Sequence, residues 1–243
     1  MSVDRHVLHG PTTTALGRNE RIEWHDHAVH QLIYPLRGVL QVFTARGSWV
    51  VPPNRAVWIP AGVAHAHRAH GPTSMRSLIF DAALPGSPAP AVLSVGPLLR
   101  EVIRTLTEDG VPAEQRHHLE QVALWQLRDV PALPLHLPAP ADPRLAHLAR
   151  LLTANPADQR SLTELGREVG AAERTLSRLF RAETGMTFPQ WRSQLRLHHA
   201  VTLLAAGRSV TRVAADCGFR SPSAFIESFR AAFGTTPGRY FGP

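Results

Sequence analysis

The sequence predicts an α+β multidomain chain, in which a β-barrel domain carrying two helices precedes an all-α domain. Three observations support this prediction: short β-rich segments fill residues 20 to 80, prolines concentrate at 131 to 143, and helical periodicity then continues to the end. The length of 243 residues exceeds a typical single domain of roughly 100 to 150 residues, so two domains are expected.

The β-rich region consists of short segments that are rich in β-branched and aromatic residues. Glycine or proline interrupts them every eight to twelve residues. The segments are HQLIYPLRG, VLQVFTARG, SWVVPPN, RAVWIPAG, VAHAHRA and SMRSLIF. This spacing of turn signals is typical of a compact β-sandwich or barrel.

Two helices are predicted next, at about 96 to 109 and 114 to 129, separated by Gly110 and Pro112. Each has one apolar stripe at helical spacing. The stripes allow two interpretations, packing on the β domain or the seam of a homodimer. Residues 1 to 130 are thus predicted to form the first domain.

A proline-rich linker is predicted at 131 to 143, because proline lacks an amide donor and resists helix. The charge balance changes at the same place. Residues before 144 carry 12 arginines and 12 acidic residues, whereas those from 144 onward carry 14 arginines and seven acidic residues. Residues 144 to 243 therefore form a basic second domain that carries the whole net charge of +7.

A local basic excess indicates a polyanionic partner, either nucleic acid or a membrane surface, although a merely solvated basic face has the same composition. No apolar run of about 18 residues that could span a bilayer occurs, and the amino terminus MSVDRHVLHG lacks an apolar signal core. The one cysteine, Cys217, excludes an intramolecular disulfide. We expect a soluble, cytoplasmic protein.

The second domain contains an internal repeat. LTELGREVGAAERTLSRLFRAETGMT aligns with VTRVAADCGFRSPSAFIESFRAAFGTT, matching Gly170 to Gly218 at an offset of 48 and Phe180 to Phe229 at an offset of 49. Each copy predicts a helix of eight or nine residues, a turn containing glycine and a second helix. That is the arrangement of a helix-turn-helix unit.

The second helix of each copy is a candidate recognition helix. In the first copy Leu176, Leu179 and Phe180 are expected to face the core, which turns a basic, hydrogen-bonding face outward. Its candidate DNA contacts are Arg174, Thr175, Ser177, Arg178 and Arg181. In the second copy Phe225, Phe229 and Ala232 are expected inside, and the candidate contacts are Ser221, Ser223, Glu227 and Arg230. Arginine can bind guanine edges or phosphates, and glutamate can accept from cytosine or pair with an arginine.

Between the copies, FPQWRSQLRLHHAVTLLAAG predicts one long helix. A continuous helix would fix the spacing of the two recognition helices. They could then enter successive major grooves of double-stranded DNA, about 34 Å apart.

Many spaced positions of this domain resemble the signature of AraC/XylS-type regulators. They lie in GAAERTLSRLFRAETGMTFPQWRSQLRLHHA and VAADCGFRSPSAFIESFRAAFGTTPGRY. The resemblance implies a seven-helix domain that binds promoter DNA, with base contacts from Arg174, Ser177 and Arg178 in the first copy and from Ser223 and Glu227 in the second. Glu227 departs from the family, which frequently has a basic residue there.

The β-rich region resembles the two cupin motifs. His25 and His27 match H-x-H, Gln31 stands where the usual glutamate would be, and PAGVAH supplies the last histidine, His65. Asn54, where a glycine is common, and Ala69, where an asparagine is common, also depart from the pattern.

The cupin resemblance implies a pocket for a small-molecule effector, lined by His25, His27, Gln31 and His65. His25 and His27 are two residues apart and would share one strand face, and with His65 they could hold a divalent metal such as zinc. The alternative is an apo barrel whose histidines bind an organic effector. His30, His67 and His70 are expected at the surface.

Three functions compete at this stage. The first is a sequence-specific DNA-binding transcription regulator that responds to a small-molecule effector. The second is a metal-dependent cupin enzyme with an accessory DNA-binding domain, which is disfavoured because no paired acid and base accompany the histidines. The third, a structural DNA-binding protein, leaves the β domain without a task.

Overall fold

The computed structural model describes residues 3–84, 86–128 and 136–241. The chain divides into two compact units. The first consists of Met1–Thr44 with Trp49–Pro134, and the second of Ala45–Ser48 with Leu135–Pro243. The β-rich first unit and the helical second unit confirm the predicted fold class.

The first unit is built from two β-sheets. The strands are β1 (Asp4–Arg5), β2 (Thr12–Leu16), β3 (Arg21–Asp26), β4 (His30–Arg37), β5 (Leu40–Thr44), β6 (Gly47–Val51), β7 (Arg55–Ile59), β8 (His65–Ala69), β9 (Thr73–Phe80) and β10 (Ala91–Ser94). One sheet contains β1, β3, β8, β5 and β6 as successive neighbours, and the other has the order β10-β7-β4-β9-β2.

The strand β8 carries His65 and His67 and has a neighbour on each side. It is antiparallel to β3 on one side and to β5 on the other, so that His65 lies opposite both His25 and Thr44. The β3–β8 register shifts between Ile22 and His25. A bulge of this kind bends its strand and redirects a side chain.

Two helices follow the strands, α1 (Pro97–Leu106) and α2 (Ala113–Leu127). Four residues of α1 are buried in the same core as Leu32 and Trp58, so α1 packs on the β domain as one of the two interpretations required. The apolar stripe of α2 packs on the same core, with Ala123 fully buried and Leu119, Val122 and Leu127 partly buried, whereas Trp125 is 65% exposed.

The structure describes the second half of the predicted linker. Residues 131 to 135 lie outside the described residues, but strand β11 (His136–Pro138) follows directly. The Pro138 carbonyl accepts a hydrogen bond from the indole of Trp191 at 2.9 Å. Asp142 then accepts from the amide of Arg144 and caps the next helix. Prolines prevent helix here, yet their carbonyls still accept hydrogen bonds.

The rest of the second unit is helical. Its helices are α3 (Pro143–Ala154), α4 (Leu162–Glu168), α5 (Glu173–Thr184), α6 (Phe188–Ala205), α7 (Val210–Asp216), α8 (Pro222–Phe233) and α9 (Pro237–Phe241). The pairs α4–α5 and α7–α8 are the two predicted helix-turn-helix units, although α4 and α7 each have seven residues rather than eight or nine. In the described part of the chain, no helix combines the length and apolar character that a bilayer crossing requires.

Each helix-turn-helix unit has its own aromatic core. In the first, Leu176 and Phe180 are fully buried and Phe180 contacts Phe188 and Trp191, with Leu179 only half-buried. In the second, Phe225 and Phe229 are buried as predicted. The inward position expected for Ala232 belongs instead to Phe233, because Phe225, Phe229 and Phe233 recur every four residues along one face.

The turns within the two units require glycine. Gly170 and Gly218 have φ angles of 62° and 72°, a left-handed conformation that only glycine adopts at low cost. A Cβ at Gly218 would also lie 2.7 Å from the Cα of Ala157. The side-chain amide of Gln159 donates to the Gly218 carbonyl at 2.8 Å. The turn of the second helix-turn-helix unit therefore packs closely against the loop that precedes α4.

Candidate functional site

The helix α5 presents a basic face opposite its buried face. Arg174, Arg178 and Arg181 are exposed, whereas Thr175 and Ser177 are half-buried. Because these arginines follow helical spacing away from Leu176 and Phe180, their guanidinium groups all lie on the solvent side. None of the three forms an ion pair within the described residues.

Other arginines of the second unit are occupied by the fold itself. Arg160 pairs with Asp158 at 2.7 Å and with Glu168 at 2.6 Å, and Arg212 pairs with Asp216 at 2.9 Å. Arg192 and Arg196 donate to backbone carbonyls and are partly buried. These four side chains are structural, which distinguishes them from the unpaired arginines of α5.

A concave surface lies along the amino-terminal half of α6. It has a volume of about 470 Å³, and its lining includes Ser177, Arg181, Thr187 and Arg192. Thr187 caps α6 by accepting from the amide of Gln190 and donating to its side chain. A helix amino terminus beside two guanidinium groups favours an anion such as phosphate.

The helix α8 presents a face of different charge. Ser223, Glu227 and Arg230 are exposed and line a concave surface of about 600 Å³. Ser221 is also exposed, and its hydroxyl oxygen caps α8 by accepting from the amide of Ala224 at 3.1 Å. The Ser221 hydroxyl proton is still available to an acceptor, since capping uses only the oxygen lone pairs.

Glu227 is not neutralised by a neighbour. Of the arginines that the structure describes, none lies within ion-pair distance of its carboxylate. The alternative in which Glu227 pairs with an arginine is therefore not realised in this structure. Its carboxylate remains a hydrogen-bond acceptor on the exposed face of α8.

The first unit contains a cluster of buried histidines. His25, His27, His65 and His67 are each at most 3% exposed. The ring centroids of His25 and His65 are 4.3 Å apart, and His65 lies 5.0 Å from both His27 and His67. His6, which is exposed, stacks on the His25 ring at 4.3 Å.

Hydrogen bonds fix the tautomers of two of these rings. Nδ1 of His25 lies 2.8 Å from the Glu23 carbonyl, and Nδ1 of His65 lies 2.8 Å from the Val63 carbonyl. A carbonyl only accepts, so both Nδ1 atoms carry the proton and both Nε2 atoms keep a lone pair in the neutral ring. Burial lowers the pKa of His65 to about 3 and also lowers that of His25, which keeps both rings neutral at pH 7.

His27 and Gln31 bond to each other. The His27 Nε2 lies 3.0 Å from the Gln31 amide, and its Nδ1 lies 2.7 Å from the Val29 carbonyl. The other end of the Gln31 amide is 2.7 Å from the Ser77 hydroxyl. The side-chain oxygen of Gln31 faces Nε2 of His27, and the NH₂ group of Gln31 donates to the Ser77 hydroxyl. Both residues are thus satisfied within the protein.

The prediction that His67 lies at the surface is wrong. It is 2% exposed, and its Nδ1 has no hydrogen-bond partner among the described residues. Burial is the first cause that holds the pKa of His67 well below its ordinary value. The signal was present in the sequence, because His65 and His67 are two residues apart on one strand and must share a face. His30 and His70 are half-buried rather than exposed.

Two helix-turn-helix units, the first with an exposed basic face, are joined in one chain to a β-rich unit with a buried polar cluster. This combination defines a DNA-binding regulator with a separate ligand-binding domain. Family comparisons agree. Residues 13–169 match the AraC-like ligand binding domain, and residues 165–242 match a helix-turn-helix domain.

Named relatives are similar over much of the chain. The HTH-type transcriptional regulator NimR of Escherichia coli K12 is 35% identical over 222 residues, which cover 89% of this chain and 81% of that protein. RipA, an HTH-type transcriptional regulator of Corynebacterium glutamicum, is 40% identical over 103 residues, which cover 42% of this chain and 31% of that protein. The chain belongs to the AraC family of transcription regulators.

Solved structures of similar proteins include ToxT from Vibrio cholerae, which is 8% identical with a TM-score of 0.42. The match covers 96% of this chain and 98% of ToxT. The DNA-binding domain of AdpA, solved in complex with a target DNA, is 34% identical with a TM-score of 0.38. That match covers 40% of this chain and 88% of the AdpA chain.

Proposed function

We propose that this regulator recognises its operator mainly through α5, with Arg178 and Arg174 contacting base edges and Arg181 holding phosphate. The observation that carries the proposal is the row of unpaired, exposed guanidinium groups opposite the buried Leu176 and Phe180. Arginine donates to two acceptors on guanine, and Ser177 and Thr175 can add shorter hydrogen bonds.

We propose a secondary role for α8. Ser223 and Glu227 would contact bases, whereas Ser221 and Arg230 would contact phosphates at either end of the helix. Ser221 lies at the helix amino terminus, where backbone amides also favour an anion. The continuous α6, at 18 residues, is about 27 Å long and supports a fixed spacing between the two recognition helices.

Footprinting tests these assignments. The purified chain is incubated with DNA from upstream of its own gene and of neighbouring genes, with and without candidate small molecules. We expect protected sites that span two adjacent turns of the duplex and a protection pattern that an effector changes. Protection that follows no sequence preference would instead support a structural DNA-binding protein.

We propose that His25, His27, Gln31 and His65 belong to the effector site of the first unit. Support comes from their burial in one cluster within the region that matches a ligand-binding domain. Among the four, Nε2 of His65 has no hydrogen-bond partner within the described residues, and a ligand that hydrogen-bonds or coordinates it would remove the cost of a buried unpartnered atom. The pocket would bind rather than catalyse, and turnover assays on cupin-type substrates test the enzyme alternative.

We propose that the regulator is a homodimer in the cytoplasm and that α2 provides the seam. The apolar stripe of this helix packs on the β core, but Trp125 is 65% exposed, a solvent-facing aromatic of the kind that interfaces cover. Light scattering on the wild-type chain and on Trp125→Glu tests this proposal. A dimer that Trp125→Glu converts to monomer supports it, and an unchanged dimer places the seam elsewhere.

A further inference from the structure

The strongest unassigned feature is the disagreement between the cupin pattern and the histidines that the fold brings together. The pattern assigns His25, His27, Gln31 and His65 as a ligand set. In the structure His27 and Gln31 bond to each other, to the Val29 carbonyl and to Ser77. Those two residues therefore have no unused polar atom to offer a cation unless this network breaks.

A different set of three histidines has its ligand atoms available. One ring nitrogen from each of His25, His65 and His67 lies within 4.8 Å of the other two, and all three residues are buried. Nε2 of His65 and Nδ1 of His67 have no hydrogen-bond partner among the described residues. Two buried unpartnered nitrogens in one cluster of histidines are a cost to the fold that a bound cation would remove.

The arrangement approaches the spacing of a tetrahedral cation site. Zinc binds imidazole nitrogens at about 2.0 to 2.1 Å, which places the nitrogens of a tetrahedral site about 3.3 Å apart. The three ring nitrogens lie within 4.8 Å of one another, so they would have to move closer together to bind zinc. Outer hydrogen bonds are already in place, because the Glu23 and Val63 carbonyls hold the Nδ1 protons of His25 and His65. Such bonds orient metal-ligating imidazoles and raise their basicity.

We propose that His25, His65 and His67 form a three-nitrogen site for a late first-row divalent cation, Zn²⁺ in particular. Three neutral imidazoles and no carboxylate select zinc over magnesium or calcium, and the fourth position stays open to water or to a donor atom of an organic effector. His27 and Gln31 border the site as a hydrogen-bonded pair. The proposal rests on the ligand-binding role of this unit and is independent of the DNA contacts.

The first test is titration of the EDTA-treated full-length chain with Co²⁺, followed by competition with Zn²⁺. Tetrahedral Co²⁺ absorbs visible light, so the spectrum reports stoichiometry and geometry together. We expect one equivalent per chain, displaced by Zn²⁺. His67→Asn should weaken binding by at least about a hundredfold, since loss of an outer-shell partner alone costs 10- to 100-fold. His70→Asn is the matched control, because His70 bonds to Gln41 instead, and should bind Co²⁺ like the wild type.

A second variant avoids dependence on a histidine deletion in the core. His67→Cys retains a ligand at position 67 and should give the near-ultraviolet charge-transfer band of a cobalt thiolate. Gln31→Cys should not. The native Cys217 cannot produce that band, because it is buried in the second unit and its pKa is raised to about 12.

Three results would overturn the site. They are no Co²⁺ uptake by the wild-type chain, unchanged uptake by His67→Asn, and a thiolate band in Gln31→Cys but not in His67→Cys. The last result would restore the cupin ligand set. Footprinting with the same preparations separates the two proposals, since a chain that takes up no metal but still protects its operator retains the proposed DNA contacts.

Discussion

The two helix-turn-helix units share an interior but differ at the surface. Phe180 in α5 and Phe229 in α8 occupy matching buried positions, and both helices end at a left-handed glycine, Gly185 and Gly234. Their exposed faces differ, because α5 carries three unpaired arginines whereas α8 carries Glu227 with Arg230. The two copies of the repeat thus share their buried positions and differ on the exposed face that we propose contacts DNA.

That difference indicates that α5 and α8 have different roles in DNA binding. A helix with several free arginines supplies both base contacts and phosphate binding, whereas a carboxylate near the phosphate backbone opposes non-specific association. The first helix-turn-helix unit is then expected to supply most of the affinity for DNA, and the second helix-turn-helix unit to adjust sequence selectivity. The following four experiments test the shared interior and the divided surface, beginning with the largest effect.

A cavity in the core of either helix-turn-helix unit should lower stability by a similar amount. Phe180→Ala and Phe229→Ala each remove a fully buried ring that contacts other aromatic rings, and each should lower the free energy of unfolding by about 3 to 5 kcal/mol. Urea denaturation measures the change. Leu179→Ala, at a half-buried position, is the control and should cost less. A loss near zero at Phe229 would show that the second interior is not equivalent to the first.

Base recognition should depend on α5. Arg178→Ala should weaken binding to the cognate operator by about 1 to 3 kcal/mol and relax one base preference, with a smaller effect on random DNA. Titration of labelled duplexes measures both affinities. Arg212→Ala serves as the matched control, because its guanidinium pairs with Asp216 in α7. Equal losses on cognate and random DNA would mean that Arg178 holds only phosphate.

Phosphate contacts should appear in the salt dependence. Arg181 and Arg230 occupy equivalent positions in the repeat, and substitution of either with alanine should reduce the slope of log K against log salt by about 1. Affinity measured over a series of potassium chloride concentrations gives the slope. If Arg181→Ala changes the slope and Arg230→Ala does not, the second helix-turn-helix unit lies further from the DNA phosphates than the repeat implies.

The smallest effect is expected at Glu227. Glu227→Gln retains the shape of the side chain and removes one negative charge. It should raise the affinity for random DNA by less than about tenfold and so reduce the ratio of operator affinity to random-DNA affinity. The same titrations on both duplexes measure this change. A large uniform loss of affinity would assign Glu227 a direct stabilising contact in the complex.

Much of the helical unit could be predicted from sequence, because helical periodicity sets which side chains face inward. Leu176 and Phe180 are buried as predicted, and the predicted turn glycines Gly170 and Gly218 have left-handed φ angles. The exception is Phe233. A helix advances 100° per residue, so positions four apart drift slowly around the axis, and the sequence alone did not show which of two adjacent residues completes the buried stripe.

The histidine cluster was less predictable because it depends on pairing between strands. Sequence spacing places His65 and His67 on one face, but only the register shows that His25 lies opposite His65. The sequence also does not reveal that β3 ends at Asp26, so that His27 lies beyond the strand, where it bonds to Gln31. Motif matching therefore pointed to the region of the buried histidine cluster but did not include His67. The assignment of individual DNA contacts stays a prediction.

The buried Cys217 makes the opening of the second helix-turn-helix unit measurable. Its thiol lies beside the Gly218 turn, fully buried, and burial raises its pKa to about 12. Thiolates react with disulfide reagents, so labelling requires the unit to open. Because the chain has one cysteine, the labelling rate under native conditions reports the open population of that unit alone. Placing the single cysteine at position 169 instead, by combining Cys217→Ala with Val169→Cys, would give the corresponding rate for the first helix-turn-helix unit.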